Sequence, residues 1–265
     1  MKLSEYSLEP LRDDQEFVLY RGHAKEAKGS SVIMLAPLSI RPAPETLKKM
    51  KHECSFANDL DTRWAVRPLF LSEYNEKTIL ILEDPGGQPL SSLINGPVGI
   101  TECLRIAVGL SAALSHLHER HLIHKDLKPS NILAEFATGR VWLTGFGIAS
   151  RLPRERQSPQ PPEFIAGTLP YMAPEQTGRM NRSIDARSDL YALGVTLYEM
   201  ITGSLSFTAS DPMEWVHCHI ARQAVPPHER SQNVPVPVSA IIARKIGKTI
   251  HQEVVDGRTL HRAVH

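Results

Sequence analysis

The segment that most constrains this 265-residue chain is residues 124–131, which read His-Lys-Asp-Leu-Lys-Pro-Ser-Asn. The segment follows a predicted helix and precedes an apolar pair at 132–133. The carboxylate of Asp126 can orient or deprotonate a hydroxyl group, and Lys128 can neutralise a phosphate oxygen. The amide oxygen of Asn131 can ligate a divalent metal ion. These residues together predict a loop built for phosphoryl transfer.

The same segment resembles the catalytic loop of protein kinases, H-R-D-x-x-x-x-N, with Lys125 in place of the usual arginine. Two later motifs strengthen the resemblance: Gly-Phe-Gly at 145–147, where kinases carry Asp-Phe-Gly, and Ala-Pro-Glu at 173–175. The resemblance implies an α+β, two-lobed protein kinase-like fold with a small β-rich N-lobe and a mainly helical C-lobe. We expect the N-lobe at residues 1–84, the C-lobe at 85–245, and an atypical, truncated tail at 246–265.

The resemblance also implies a role for individual residues. Asp126 would position the substrate hydroxyl, and Lys128 would neutralise the γ-phosphate of ATP. Backbone groups of Glu83 and Pro85 would meet the adenine edge, and Asn131 would be a cofactor-binding residue and a weak magnesium ligand. ATP and Mg²⁺ are the expected cofactors if the domain is active, and none otherwise. The expected partner is a protein substrate or a partner kinase module.

Three departures from the kinase pattern concern the nucleotide site. Gly145 replaces the aspartate that holds magnesium, so the site loses its strongest metal ligand. Leu35 and Ala36 stand where the phosphate-anchoring lysine is expected, with Lys25 and Lys28 as alternative cations. The segment 21–29, predicted here as the glycine-rich nucleotide loop, contains only two glycines, although backbone amides must approach the phosphates closely there.

Hydrophobic patterns predict the elements around these motifs. We expect strands within 6–21, joined by a turn at Asp13-Asp14, and further strands at 31–36, 64–70 and 78–82. A hairpin is expected around Thr138-Gly139. Helices are expected at 45–60, at 101–120 with Thr101 as its cap, and from about 190 to Gly203. The first helix carries Glu53, which either pairs with the lobe's lysine, as in kinases, or is surface charge.

The activation segment should be the proline-rich stretch 151–164, and Ser150, Ser158 and Thr168 are possible phosphate acceptors there. By resemblance, Asp189 hydrogen-bonds the catalytic-loop backbone. Glu175 should pair with a late arginine, for which Arg258 is a candidate.

Composition narrows the remaining classes of function. With 30 basic and 29 acidic residues the net charge is +1, which gives no electrostatic case for nucleic acid or an anionic membrane. Three widely separated cysteines favour a reducing cytoplasm over a disulfide framework. No apolar run of membrane-spanning length is expected, so the sequence predicts a cytoplasmic protein without membrane insertion.

A narrower resemblance is to the N-terminal kinase-like domain of large sensor histidine kinases, carried by residues 175–182 and 211–221. In that subfamily the N-lobe lysine is often absent as well. Two functions remain open. One is a weak serine/threonine kinase, whose phosphotransfer Gly145→Asp should increase. The other is a pseudokinase that binds or regulates a two-component signalling module.

Overall fold

The computed structural model describes residues 5–26, 29–74, 77–152, 167–179 and 183–247. The predictions on Lys28, Ser158 and Arg258 lie outside these residues, as do those on 153–164 and on the tail after 247. The elements in chain order are β1 (Tyr6–Asp13), β2 (Phe17–Ala24), β3 (Ser31–Pro37), α1 (Pro44–Cys54), β4 (Pro68–Tyr74), β5 (Lys77–Glu83), β6 (Gln88–Pro89), α2 (Leu90–Leu93), α3 (Ile100–Glu119), β7 (Leu122–Ile123), β8 (Ile132–Glu135), β9 (Arg140–Leu143), β10 (Ser150–Arg151), α4 (Ala186–Thr202), α5 (Pro212–Ala221), α6 (Pro227–Arg230) and α7 (Val236–Ile246).

The first lobe is an antiparallel sheet with strand order β1-β2-β3-β5-β4 and the helix α1. The apolar run in β5 explains its central place, because alternate side chains of a strand point to opposite faces. Leu80 and Leu82 join one buried cluster, and Ile79 and Ile81 join another on the opposite face. The helix α1 packs against β4 and against the turn at 146–148, so it lies over the cleft.

The second lobe is mainly helical and is built around α3 and α4. Both helices are lined with buried apolar residues that form the largest core cluster. The helix α4 ends at Gly203, whose positive φ of 71° closes the helix and whose N–H donates to Glu199 O at 2.8 Å. Among the described residues, α3 is long and apolar enough to cross a bilayer by length and composition. The expectation of no run of that length was therefore wrong, although the apolar face of α3 is core surface in this fold.

The two lobes share a hydrophobic cluster at the back of the cleft. Leu133 in β8 and Trp142 in β9 pack with Leu19, Ile33 and Leu82 of the first-lobe sheet. The side chain of Trp142 is 1% exposed, and its indole N–H donates to a backbone carbonyl, Thr62 O, at 2.9 Å. The α+β, two-lobed arrangement predicted from the sequence is confirmed, and the lobes are joined by packing as well as by the chain.

Three local predictions were wrong. The first helix ends at Cys54 rather than at residue 60, because the chain turns there to bury Trp64. The fourth strand begins at Pro68 rather than at 64, since Val66 donates to Leu143 O of the other lobe instead of to the sheet. Thr101 does not cap α3, which begins at Ile100 without a side-chain cap.

Candidate active site

The loop 124–131 lies in the cleft and is fixed from below by a buried carboxylate. Asp189, at the start of α4, accepts hydrogen bonds from the backbone N–H groups of His124 and Lys125, each at 2.9 Å. His118 Nε2 lies 2.9 Å from the same carboxylate. Burial alone would raise the pKa of Asp189, but these hydrogen bonds outweigh it, so the pKa lies below its usual value. The predicted role of Asp189 is confirmed.

His124 connects the loop to the segment that follows β9. Its ring is fully buried, its Nε2 lies 3.0 Å from Thr144 O, and its centroid is 4.8 Å from that of Phe146. Burial lowers the pKa of His124, which favours the neutral ring. The histidine therefore positions the segment 144–147 against the loop.

Asp126, Lys128 and Thr168 form a connected set on the second-lobe side of the cleft. Asp126 Oδ1 accepts from the Thr168 N–H at 2.9 Å and from its hydroxyl at 2.8 Å. Lys128 Nζ donates to Thr168 Oγ1 at 2.6 Å and lies 3.1 Å from Asp126 Oδ2. A hydroxyl is thus held between a carboxylate and an ammonium group. Sequence reasoning treated Thr168 only as a phosphate acceptor and missed this contact, although its place five residues before Ala-Pro-Glu was a usable signal.

Asn131 lies beside Asp126 and is almost fully buried. Its Nδ2 donates to Asp126 O at 2.8 Å and to Asp126 Oδ2 at 3.0 Å. Its Oδ1, the atom that would ligate a metal ion, instead accepts from Arg12 Nη2 at 3.0 Å. Both ends of the Asn131 amide are therefore occupied by protein groups.

Gly145 completes this group with a backbone that few other residues adopt. Its φ is +82° and its ψ is +47°, which place it in the left-handed region. A Cβ added there would lie 2.7 Å from Asn131 Cγ. Asn131 therefore occupies the space that an aspartate side chain at position 145 would need. Asp126, Asn131 and Gly145 converge on one cleft, where they line a single cavity with Thr168.

Glu53 of α1 reaches the same cavity, but Lys49, a lysine that also lines it, pairs with Glu16 rather than with Glu53. Leu35 of β3 lines the cavity where the phosphate-anchoring lysine would lie. Glu53 Oε1 instead accepts from the Gly145 N–H at 3.1 Å. Burial raises the pKa of Glu53, although the N–H groups of Phe146 and Gly145 and the charge of Arg12 act in the opposite direction. Glu53 is 2% exposed, so the alternative of surface charge was wrong.

A pH-dependent stability follows from the burial of Glu53. A carboxyl group whose pKa is raised by folding binds more protons in the folded state than in the unfolded state. The free energy of unfolding therefore falls as the pH rises above 4.5, the ordinary pKa of a glutamate. We expect Glu53→Gln to raise the melting temperature by a few degrees at pH 8 and to lose that advantage at pH 5. Thermal unfolding of the exposed variant Glu45→Gln, on the same helix, is the control and should show no such trend. An advantage for Glu53→Gln that is equal at both pH values would contradict the prediction.

The turn that covers the cleft differs from the predicted one. No described residue of the turn between β2 and β3, within the segment 21–29, lines the cavity, which is lined instead by Arg12, Asp14 and Phe17 from the β1–β2 hairpin. The prediction that 21–29 is the nucleotide loop was therefore wrong, because the turn that faces the cavity is the one between β1 and β2. Lys25 is likewise not one of the residues that line the cavity.

Glu83 and Pro85 lie at the crossing between the lobes. The Glu83 N–H donates to Arg67 O at 2.9 Å, its carboxylate pairs with the Arg67 guanidinium, and Pro85 has no N–H to offer. Arg21 Nε lies 2.7 Å from Asp84 Oδ2, and this buried pair stiffens the crossing. The role of Glu83 and Pro85 in adenine binding stays a prediction, and it can rest on their carbonyl oxygens but not on a backbone N–H of either residue.

The residues of the cleft do not fit a magnesium ion. Magnesium prefers several oxygen ligands in octahedral geometry. Gly145 supplies no side-chain oxygen, and Asn131 Oδ1 already accepts from a guanidinium. No group of three or more His, Cys, Asp or Glu side chains suited to a metal occurs in the described part of the chain. A nucleotide polyphosphate fits no better, because Leu35 stands in place of the phosphate-anchoring lysine and the Asp14 carboxylate lines the cavity.

The chain is similar in sequence to known protein kinases. The sequence model of the protein kinase domain matches residues 26–255. The chain is 32% identical over 171 residues to serine/threonine-protein kinase PknB of Mycobacterium leprae, covering 64% of this chain and 27% of that protein. It is 33% identical over 175 residues to serine/threonine-protein kinase PksC of Streptomyces coelicolor, covering 64% and 31%. It is 26% identical over 232 residues to the probable serine/threonine-protein kinase CPE1738 of Clostridium perfringens, covering 87% and 33%.

The two-lobed fold and the loop in its cleft define a phosphotransferase-type architecture. The chain belongs to the protein kinase domain family. Its matches above are serine/threonine kinases, and it spans about a quarter to a third of the length of those relatives. Members of the family use ATP and Mg²⁺ to phosphorylate protein hydroxyls.

Proposed function

We propose that this domain has lost efficient phosphoryl transfer and acts as a pseudokinase, a kinase-fold module that binds and regulates a partner protein. The observation that carries the proposal is the occupation of the metal position: Gly145 offers no carboxylate, and the Asn131 oxygen accepts from Arg12. In phosphoryl transfer the metal ion stabilises charge on the transferring group. Losing one such contact in an active site costs on the order of 3 kcal/mol in the transition state, or about a hundredfold in rate.

The loop chemistry favours one alternative, a weak serine/threonine kinase. Asp126 and Lys128 already hold the Thr168 hydroxyl between them, which is the arrangement that a substrate hydroxyl would need. In that case Asp126 orients the substrate and Lys128 neutralises the phosphate. The absence of a lysine at Leu35 and of an acid at Gly145 weighs against this alternative, because both act on the phosphates rather than on the hydroxyl.

The context of the domain is also a proposal. The resemblance of 175–182 and 211–221 to sensor histidine kinases supports a partner in a two-component signalling protein, in the cytoplasm. We place the boundary between the lobes at residues 84 and 85, and this position is supported by Pro85 and Gly86, which follow the end of β5. Residues 246–265 remain assigned to an atypical tail.

Phosphate incorporation and ligand-induced stabilisation test the function together. We expect the chain, given γ-labelled ATP, Mg²⁺ and a generic basic protein substrate, to incorporate no more label than its Asp126→Asn variant. We also expect the melting temperature to stay unchanged when ATP and Mg²⁺ are added, because a ligand stabilises a fold only by binding it. Label above the Asp126→Asn background, together with saturable stabilisation that requires the metal, would establish the weak kinase instead.

A further inference from the structure

Arg12 is a first-lobe residue whose side chain reaches into the cleft. The hairpin of β1 and β2 contains a register shift between Pro10 and Arg12, after which Arg12 faces Leu19 instead of Val18. Leu19 is fully buried on the inner face of the sheet. A bulge of this kind redirects the side chains that follow it. The irregularity therefore turns Arg12 inward, and only 7% of its side chain remains exposed.

The buried guanidinium connects residues of both lobes. Arg12 Nη1 donates to Asp14 Oδ2 at 2.8 Å within the first lobe. Arg12 Nη2 donates to Asn131 Oδ1 at 3.0 Å in the second lobe, 119 positions away in sequence. The Arg12 Nε is buried and has no hydrogen-bond partner among the described residues. A buried cation that leaves a donor unpaired is costly, so the two bridging bonds must outweigh that cost.

Asp14 occupies the anion position of the turn above the cleft. Its Oδ1 accepts from the backbone N–H groups of Glu16 at 2.9 Å and Phe17 at 2.7 Å. Successive N–H groups that point into one concavity form an anion site of the kind that phosphate-binding loops use. Here the anion is a carboxylate of the same turn. Burial would raise the pKa of Asp14, but these N–H groups and Arg12 outweigh it and keep the carboxylate ionised.

We propose that the Arg12–Asp14 pair is a built-in replacement for the phosphate and metal of a nucleotide, and that it holds the two lobes closed in the absence of any ligand. The carboxylate fills the place of a phosphate beneath the turn, and the guanidinium fills the place of a metal ion beside Asn131. This pair is called the latch below. The latch deepens the proposed function, since a binding module with a latch presents its closed surface without nucleotide.

The charges around the cavity agree with a latch better than with a vacant nucleotide site. The acidic side chains that line it are Asp14, Glu53 and Asp126, whereas Arg12 and Lys49 are the basic ones. Lys49 is already paired with a carboxylate of the covering turn, with Nζ 2.5 Å from Glu16 Oε2. An incoming polyphosphate would meet carboxylates whose countercharges are occupied, so it must first displace Arg12 from Asp14 and Asn131.

The distance between the lobes tests the latch. Two exposed positions, Ile40 in the first lobe and Val236 in the second, can carry spin labels on non-canonical amino acids. We expect the parent chain to give one narrow distance distribution that Mg²⁺ and ATP leave unchanged. Arg12→Met keeps the length of the side chain and removes the guanidinium, so we expect a distribution that is broader and shifted to longer distances. The control Arg63→Met, which removes an exposed arginine paired within its own turn, should behave like the parent.

Two further results make the test decisive. Asn131→Ala removes the second-lobe end of the latch and should widen the distribution as Arg12→Met does, so a folding failure of one variant leaves the other informative. A parent distribution that narrows only with ATP and Mg²⁺, or an Arg12→Met distribution equal to the parent's, would overturn the latch. Phosphate incorporation into a substrate is measured separately. If the parent chain labels the substrate although its lobes are already closed without nucleotide, the proposed function is overturned and the latch stands. If the lobes are open without nucleotide and no label is incorporated, the latch is overturned and the proposed function stands.

Discussion

Trp142→Ala is expected to lower the free energy of unfolding by about 3–5 kcal/mol, the range for truncating a large buried aromatic side chain. Trp142 is 1% exposed, and it packs against Leu133 of its own lobe and against Leu19, Ile33 and Leu82 of the first-lobe sheet. The substitution therefore leaves a void where the lobes meet. For a domain of this size the melting temperature should fall by roughly 10 °C, measured by thermal unfolding with circular dichroism.

A matched variant separates the packing of Trp142 from its hydrogen bond. Trp142→Phe keeps most of the ring and removes the indole N–H that donates to Thr62 O. Its expected cost is about 1–3 kcal/mol, which reflects the carbonyl left without its donor and a smaller void. If Trp142→Ala cost less than Trp142→Phe, the shared cluster would not be what couples the lobes.

The fold was largely predictable because its motifs are local in sequence. The loop 124–131, Ala-Pro-Glu at 173–175 and the start of α4 each carry enough residue-specific chemistry to locate the second lobe. The apolar run of β5 and the helical spacing in α3 located two core elements within one or two residues. Asp189 was assigned to the loop backbone by the kinase resemblance, and the structure gives the physical reason, because the buried carboxylate accepts from the N–H groups of His124 and Lys125.

The first lobe was harder to predict because its site residues lack a sequence motif. The strands predicted within 6–21 had no individual bounds, and β2 extends to Ala24, so the nucleotide loop was assigned to the turn after β2 instead of the turn between β1 and β2. Arg12 and Asp14 belong to a charged triplet that is typical of an exposed hairpin. The irregularity in β1 that turns Arg12 inward depends on pairing with β2, which residue order alone does not reveal.

The structure also changes the expected effect of Gly145→Asp. A Cβ at this position would lie 2.7 Å from Asn131 Cγ, and the Asn131 side chain is held by Arg12 and Asp126. The left-handed backbone at Gly145 adds strain for any other residue. The single substitution should therefore lower the melting temperature, without the gain in phosphotransfer that the sequence suggested.

Restoring a nucleotide site should require four changes together: Arg12→Val, Asp14→Gly, Leu35→Lys and Gly145→Asp. The first two remove the latch and free the Asn131 amide and the N–H groups of the covering turn. The other two supply the cation opposite Glu53 and the carboxylate beside Asn131. We expect this variant to gain saturable, magnesium-dependent stabilisation by ATP. A ligand at a hundred times its dissociation constant adds about 2.7 kcal/mol, or roughly 5–10 °C in a domain of this size.

A variant with Gly145→Asn in place of Gly145→Asp, and the other three changes kept, isolates the metal. It retains the shape of the side chain and loses its negative charge, so any stabilisation by ATP should be equal with and without Mg²⁺, because magnesium selects carboxylate oxygens. The two variants differ by one charged group at the point where Asn131 and Asp126 meet. Equal magnesium dependence in both would mean that the metal position lies elsewhere in the cleft. A flat response in both would mean that the latch and the two missing residues are not what keeps the nucleotide out.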